Sequence, residues 1–182
     1  MENQGFGTIL LSITVAILIY DISIKSIVLV RQFRPAVYMT IQYYAEKSGN
    51  SSELPTIEDA IPYELCAGIV DRDEPPSSIA ASEVLEETGY KIDANKLELI
   101  SKYRSGVGAS GALQHVYYVQ VDSSMKVSEG GGCEHEDEMI DLFHLKLADV
   151  KSFIENPDIT NRTAGLLLAL QWFLIHKADK LS

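Results

Sequence analysis

Residues 68–90 read GIVDRDEPPSSIAASEVLEETGY, and the run SEVLEETGY at 82–90 decides what the chain is. Glu83, Glu86 and Glu87 stand at i, i+3 and i+4, which on a helix gathers them on one face. Ala80, Ala81, Val84, Leu85 and Thr88 then fall on the other face, so one side buries and the acidic side is offered to something positive. Like charges at this spacing weaken an isolated helix. A divalent cation bound through oxygen is the natural counter-charge. Acidic helix faces are most often simply solvated, but the flanks here mark a site. Gly68 leads the segment, Pro75 and Pro76 enter it with Ser77 or Ser78 as N-cap candidates, and Gly89 stops it.

Outward from this segment, residues 13–20 and 27–33 are rich in Ile, Val and Leu, with Asp21, Ile22 and Ser23 as a turn between them, and predict two strands. Residues 63–67 predict a short strand feeding the acidic helix. Residues 97–104, 116–121 and 139–145 predict three more. Residues 39–61 hold Gly, Asn, Ser, Pro and acids without a sustained period and read as a long loop of the functional or disordered kind. Helices are predicted at 147–154 and at 163–177, the second apolar nearly all round and so buried against a sheet or a partner. This order implies an α/β class, a mixed sheet between helices.

The chain has 182 residues, with 15 basic against 26 acidic side chains and a net charge of −11. That length suits one domain with a real core. Lys and Arg are scattered, so nothing supplies the basic footprint that nucleic acid needs. A small anionic substrate stays open, because a bound metal inverts the local field. The two cysteines, Cys66 and Cys133, make no disulfide framework and read as reduced thiols of a cytoplasmic protein. The apolar run at 8–20 is too short to span a membrane, and no membrane partner is expected.

With these residues in view, the chain resembles the Nudix hydrolases. Gly68, Glu74, Glu83, Val84, Glu86, Glu87, Gly89 and Tyr90 fall at the spacings of the Nudix box, and the departure is Ser82 at the box arginine. Beyond the box, LVRQFRPAVY (29–38), YELCAGIVD (63–71), YRSGVGASG (103–111), GGGCEHEDEMIDLFHL (130–145) and NPDITNRTAGLLLALQWFLIHKA (156–178) look like the uridine diphosphate glucose pyrophosphatases, cousins of the ADP-ribose pyrophosphatases. The resemblance implies a Nudix-type α/β/α sandwich and metal-dependent hydrolysis of a nucleoside diphosphate sugar. UDP-glucose giving UMP and glucose 1-phosphate is the leading expectation, and ADP-ribose the alternative. It also implies homodimer pairing through N-terminal strands. The match begins at about Ile13, so the domain is read as residues 1–182 with those strands shortened.

Oxygen ligands suit Mg²⁺ or Mn²⁺. Glu83 and Glu87, one turn apart, are placed to bridge metals, and Glu86 shares their face and is counted with the catalytic group. The resemblance makes Glu83 and Glu87 ligands, adds the Ala67 carbonyl, and brings Glu138 as a further ligand and Glu136 as general base from a glycine-hinged loop. Without the box those two would read as a solvated acidic loop. Arg34 has a guanidinium suited to gripping phosphate or to bracing a glutamate of the box, and Glu64 reads as a brace. Ser105, Gly106 and Gly108 belong to a small-residue loop that lets backbone approach a phosphate. Ser82 removes the charge that usually orients the box carboxylates, which leaves a catalytically weakened nucleotide-sugar binding module as the rival reading.

Overall fold

The computed structural model describes residues 13–49, 54–132 and 139–178. Strand β1 (Ile13–Asp21) is the axis of the sheet. Its residues alternate between two apolar layers: Ala16, Leu18 and Tyr20 enter one, Val15, Ile17 and Ile19 the other. A strand buried on both faces reads as a continuous apolar run, which is how residues 13–20 read. Along one edge β1 runs parallel to β6 (Ala112–Val121) for its whole length, and β5 (Glu98–Ser105) lies antiparallel outside β6.

The other edge of β1 forks. Residues 19–21 pair with β2 (Ser26–Gln32), and residues 14–17 pair with β4 (Cys66–Ile69). The short strand β3 (Tyr63–Glu64) pairs with β2, so the segment leading into the acidic helix fills the gap where β1 and β2 splay apart. On its opposite edge β2 carries β7 (Ile140–Lys146). One face of the sheet is covered by α2 (Pro76–Thr88), which contributes Ile79, Ala80 and Val84 to that layer. The other is covered by α3 (Val150–Glu155) and α4 (Ala164–His176), with Leu166, Ala169, Leu170 and Phe173 fully buried. The expected α/β/α sandwich with a mixed sheet is what the chain forms.

Three expectations need correction. Residues 39–61 are not one long loop: α1 (Pro35–Ser48) begins on a proline and ends at Gly49 with φ 71°. The pattern hid it because the helix buries only Ala45 against its own chain, leaving no apolar stripe. Next, α4 lies against the sheet as expected, but its apolar surface is not all covered. It meets the sheet with one face, and Leu168 and Ile175 are exposed. Last, α2 starts at Pro76 without a side-chain cap from Ser77 or Ser78, and the face it buries includes Glu87 alongside Thr88.

Both ends of the region after β4 are pinned. Tyr90, just past α2, donates its hydroxyl to the buried Asp21 carboxylate at 2.6 Å, and the Ser23 amide donates to the same side chain at 2.7 Å. Burial, and then the Asp21 carboxylate, push the Tyr90 hydroxyl far above its ordinary pKa, so it stays a donor. At the end of α2, Gly131 N–H donates to Glu87 O at 2.9 Å and Gly132 N–H to Glu86 O at 3.2 Å. Gly130 sits at φ 75°, and a Cβ there would come within 2.4 Å of Glu87 O. Ile140 N–H closes the neck by donating to Gly131 O at 3.1 Å.

Two measurements check this frame. Gly130→Ala combines left-handed backbone with a clash against backbone, so thermal denaturation should show a loss of about 2 kcal/mol or more. His115, buried on β6, has its pKa lowered by burial and then by Lys102. Below about pH 6.5 the unfolded chain therefore takes up this proton before the folded one, and stability falls as pH drops through that window. Urea unfolding at pH 7.5 and 5.5 should show a smaller loss for His115→Gln than for the natural chain.

Candidate active site

The site grows from the contact between β4 and α2. A Cβ built on Gly68 would meet Glu83 Oε1 at 2.0 Å, so the Glu83 carboxylate lies directly against the Gly68 backbone, in space that only glycine leaves open. One turn later, Glu87 is 5% exposed, and the Ala67 N–H donates to its Oε2 at 3.2 Å. The helix thus lays two carboxylates across two consecutive residues of one strand. Glu86, between them in sequence, is exposed. Cys66, the preceding residue of β4, is fully buried. Burial, followed by the carboxylates of Glu87, Glu83 and Glu86, pushes its thiol well above the ordinary range, so it is a neutral SH.

Beside this contact, on the α4 side of the sheet, lies a cavity of about 540 Å³. Ala67 lines it, and so do Glu64, Ser105 and Gly106. Arg34, the residue before α1, grips Glu64 through two bonds, Nε to Oε1 at 3.0 Å and Nη2 to Oε2 at 2.6 Å. Glu64 lines the cavity and is a brace that holds the guanidinium fork in a fixed plane, whereas Arg34 is not part of the cavity lining. Glu83 and Glu87 do not line the cavity, which they adjoin through Ala67.

The loop after β5 turns back on itself. The amides of Ala109, Ser110 and Gly111 all donate to the Gly106 carbonyl, at 2.8, 2.8 and 3.0 Å. Those donors are committed within the loop, and Gly108 has open space around it away from the cavity wall. Arg104 Nη1 ties the end of the loop by donating to Gly111 O at 3.0 Å. Ser82 is half-buried. Glu136, Glu138 and Cys133 lie outside the described residues. Among the described residues no three His, Cys, Asp or Glu side chains converge as a ready metal cage.

The sequence reading missed part of the cavity wall: Tyr103, Gln114 and the first turn of α4, with Thr163, Gly165 and Leu166. Thr163 is the N-cap of α4, its side chain accepting from the Leu166 N–H at 3.3 Å. A threonine cap followed by glycine was the available signal, but its meaning depends on β5 and β6, about fifty residues away in sequence.

No family model matches the chain. Among curated proteins it is 36% identical to uridine diphosphate glucose pyrophosphatase NUDT14 of Mus musculus, over 93% of this chain and 81% of that protein. Identity to the protein of the same name in Bos taurus is 35%, over 88% and 77%. GDP-mannose pyrophosphatase of Cronobacter sakazakii is 31% identical over 84% of this chain and 70% of its own length. Among solved structures, an ADP compounds hydrolase matches with a TM-score of 0.59 at 18% identity, over 91% of this chain and 75% of that one, and shares the fold. Relatives this similar along most of both chains, together with the spacing of residues 68–90 and the sandwich around it, place the chain in the Nudix hydrolase superfamily, in the family of the uridine diphosphate glucose pyrophosphatases.

Proposed function

We propose that this chain hydrolyses the diphosphate bond of a nucleoside diphosphate sugar in a Mg²⁺-dependent reaction, with UDP-glucose giving UMP and glucose 1-phosphate. The observation that carries the reading is the pair of carboxylates, Glu83 against Gly68 and Glu87 against Ala67, next to a cavity lined by Glu64, which Arg34 grips. The names of the relatives supply the substrate class.

A hard divalent cation fits these donors. All are oxygens, and one of the carboxylates, that of Glu87, is buried. The other occupies the space that a Cβ on Gly68 would fill. We assign the cation to Glu83, Glu87 and the Ala67 carbonyl, with Glu138 as a further ligand, and Mn²⁺ as its substitute. When bound, it neutralises the diphosphate and lowers the pKa of a water. Glu136 takes the proton of the attacking water, and Glu86 adds its charge on the same helix face. Arg34, held flat by Glu64, orients the diphosphate, and Ser105 and Gly106 border it. Gly108 joins them through its place in the same loop. The Ala67 N–H bond to Glu87 fixes the direction of that carboxylate, the kind of outer support on which metal sites depend.

Homodimer formation is part of the proposal. Helix α1 buries only Ala45 and leaves Met39 67%, Tyr43 57% and Tyr44 63% exposed, a surface suited to a second copy. We place the protein in the cytoplasm, in keeping with two cysteines of which Cys66 is a buried free thiol. Among the described residues no helix is long and apolar enough to cross a membrane.

The direct experiment incubates purified protein with UDP-glucose, GDP-mannose and ADP-ribose, each with Mg²⁺, with Mn²⁺ or with a chelator. Chromatography should show UMP and glucose 1-phosphate from UDP-glucose, lost on chelation. No metal-dependent monophosphate from any of the three would end the proposal. Glu87→Gln keeps an oxygen to accept from the Ala67 N–H, so the fold should hold while turnover drops by about a hundred-fold or more. The rival reading, a weakened binder, rests on the half-buried Ser82. A large rate gain in Ser82→Arg would support it, and an unchanged rate would count against it.

A further inference from the structure

One wall of the cavity has no part in the diphosphate chemistry. It is formed by Ala16, Tyr103, Gln114, Gly165 and Leu166, none of them charged, whereas Glu64 and Arg104 bring the charge to the rest of the lining. Tyr103 on β5 and Gln114 on β6 are register partners, and the Tyr103 hydroxyl donates to Gln114 Oε1. Helix α4 lies against this pair. A Cβ on Gly165 would lie 2.4 Å from Tyr103 Oη and 3.3 Å from Gln114 Oε1, so the first turn of α4 packs onto this pair. The unladdered N–H groups of that turn carry positive partial charge.

With Oε1 accepting from Tyr103, the Nε2 of Gln114 points away from the tyrosine. Nε2 carries two N–H donors, is not sealed from solvent, and has no partner among the described residues. Thr14, the register partner of Gln114 on β1, has a buried Oγ1 that likewise lacks a partner among the described residues. An oriented neutral donor set in an uncharged wall recognises a neutral oxygen, not a phosphate, because anions are best held by charge-assisted bonds.

We propose that Gln114 is a specificity residue whose Nε2 donates to a hydroxyl or ring oxygen of the sugar in the bound nucleoside diphosphate sugar, with Tyr103 and the first turn of α4 as the positioning groups. This rests on the nucleotide-sugar reading above.

The test compares the natural chain with Gln114→Met, which keeps length and removes both donors, on two ligands: UDP-glucose, and UDP, which lacks the sugar. KM for UDP-glucose should rise about three- to ten-fold with kcat nearly unchanged, and the Kd of UDP by calorimetry should not move. Gln114→Glu still accepts from Tyr103 but offers no N–H, so it should lose at least as much, and it replaces the methionine variant should that one fail to fold. Tyr103→Phe releases the amide and should give a smaller rise. Adding it to Gln114→Met should raise KM for UDP-glucose no further, as expected of a tyrosine that acts only by orienting this amide. An unchanged KM for UDP-glucose, or equal losses for UDP-glucose and UDP, overturns the proposal. If the natural chain turns over UDP-glucose and Gln114→Met behaves like it, only this inference fails. If the natural chain is silent, calorimetry with UDP-glucose and UDP on both proteins decides, and a natural chain that binds neither ends the inference too.

Discussion

The site depends on how closely α2 approaches β4. Glycine at position 68 allows the Glu83 carboxylate to rest on the strand backbone, and the Ala67 amide gives the buried Glu87 a hydrogen bond. A carboxylate that is 5% exposed would be costly among apolar neighbours without such compensation. The surrounding architecture serves this approach. The fork between β1 and β2 opens the place that β3 and β4 fill, and the apolar contacts of Ile79, Ala80 and Val84 seat the helix. The Tyr90–Asp21 bond fixes the chain just beyond it.

Charge in this acidic chain is local. A net −11 gives no warning that Arg34 and Glu64 form a two-bond clamp at the cavity, or that three carboxylates lie close enough to Cys66 to help hold its thiol neutral. The carboxylates are gathered on one side of β4, while the cavity opens on the other side of the sheet, with Ala67 as the residue common to both.

Local spacing made the box legible: the acids at 83, 86 and 87, the glycines that bracket them and the apolar runs of β1 and α4 all follow from short-range pattern. The sandwich followed from the order of those elements and from the resemblance. What stayed hidden depends on partners distant in sequence. Helix α1 carries proline and glycine at its ends but buries a single residue, so periodicity had nothing to register. Glu87 sits beside Val84 and Thr88 at the edge of the apolar face, and only the arrival of β4 decides that it is buried. Tyr103, Gln114 and Gly165 come together from two strands and a helix, and no window of sequence contains all three.

The glycine neck at Gly130 to Gly132 has a consequence for how this family can diversify. Its amides are bonded to the last carbonyls of α2, and the start of β7 is bonded back to Gly131, so both feet of the intervening segment are fastened independently of what lies between. Lengthening a closed loop costs little entropy per added residue. Insertions between Gly132 and Met139 could therefore accumulate while the helix below keeps its register.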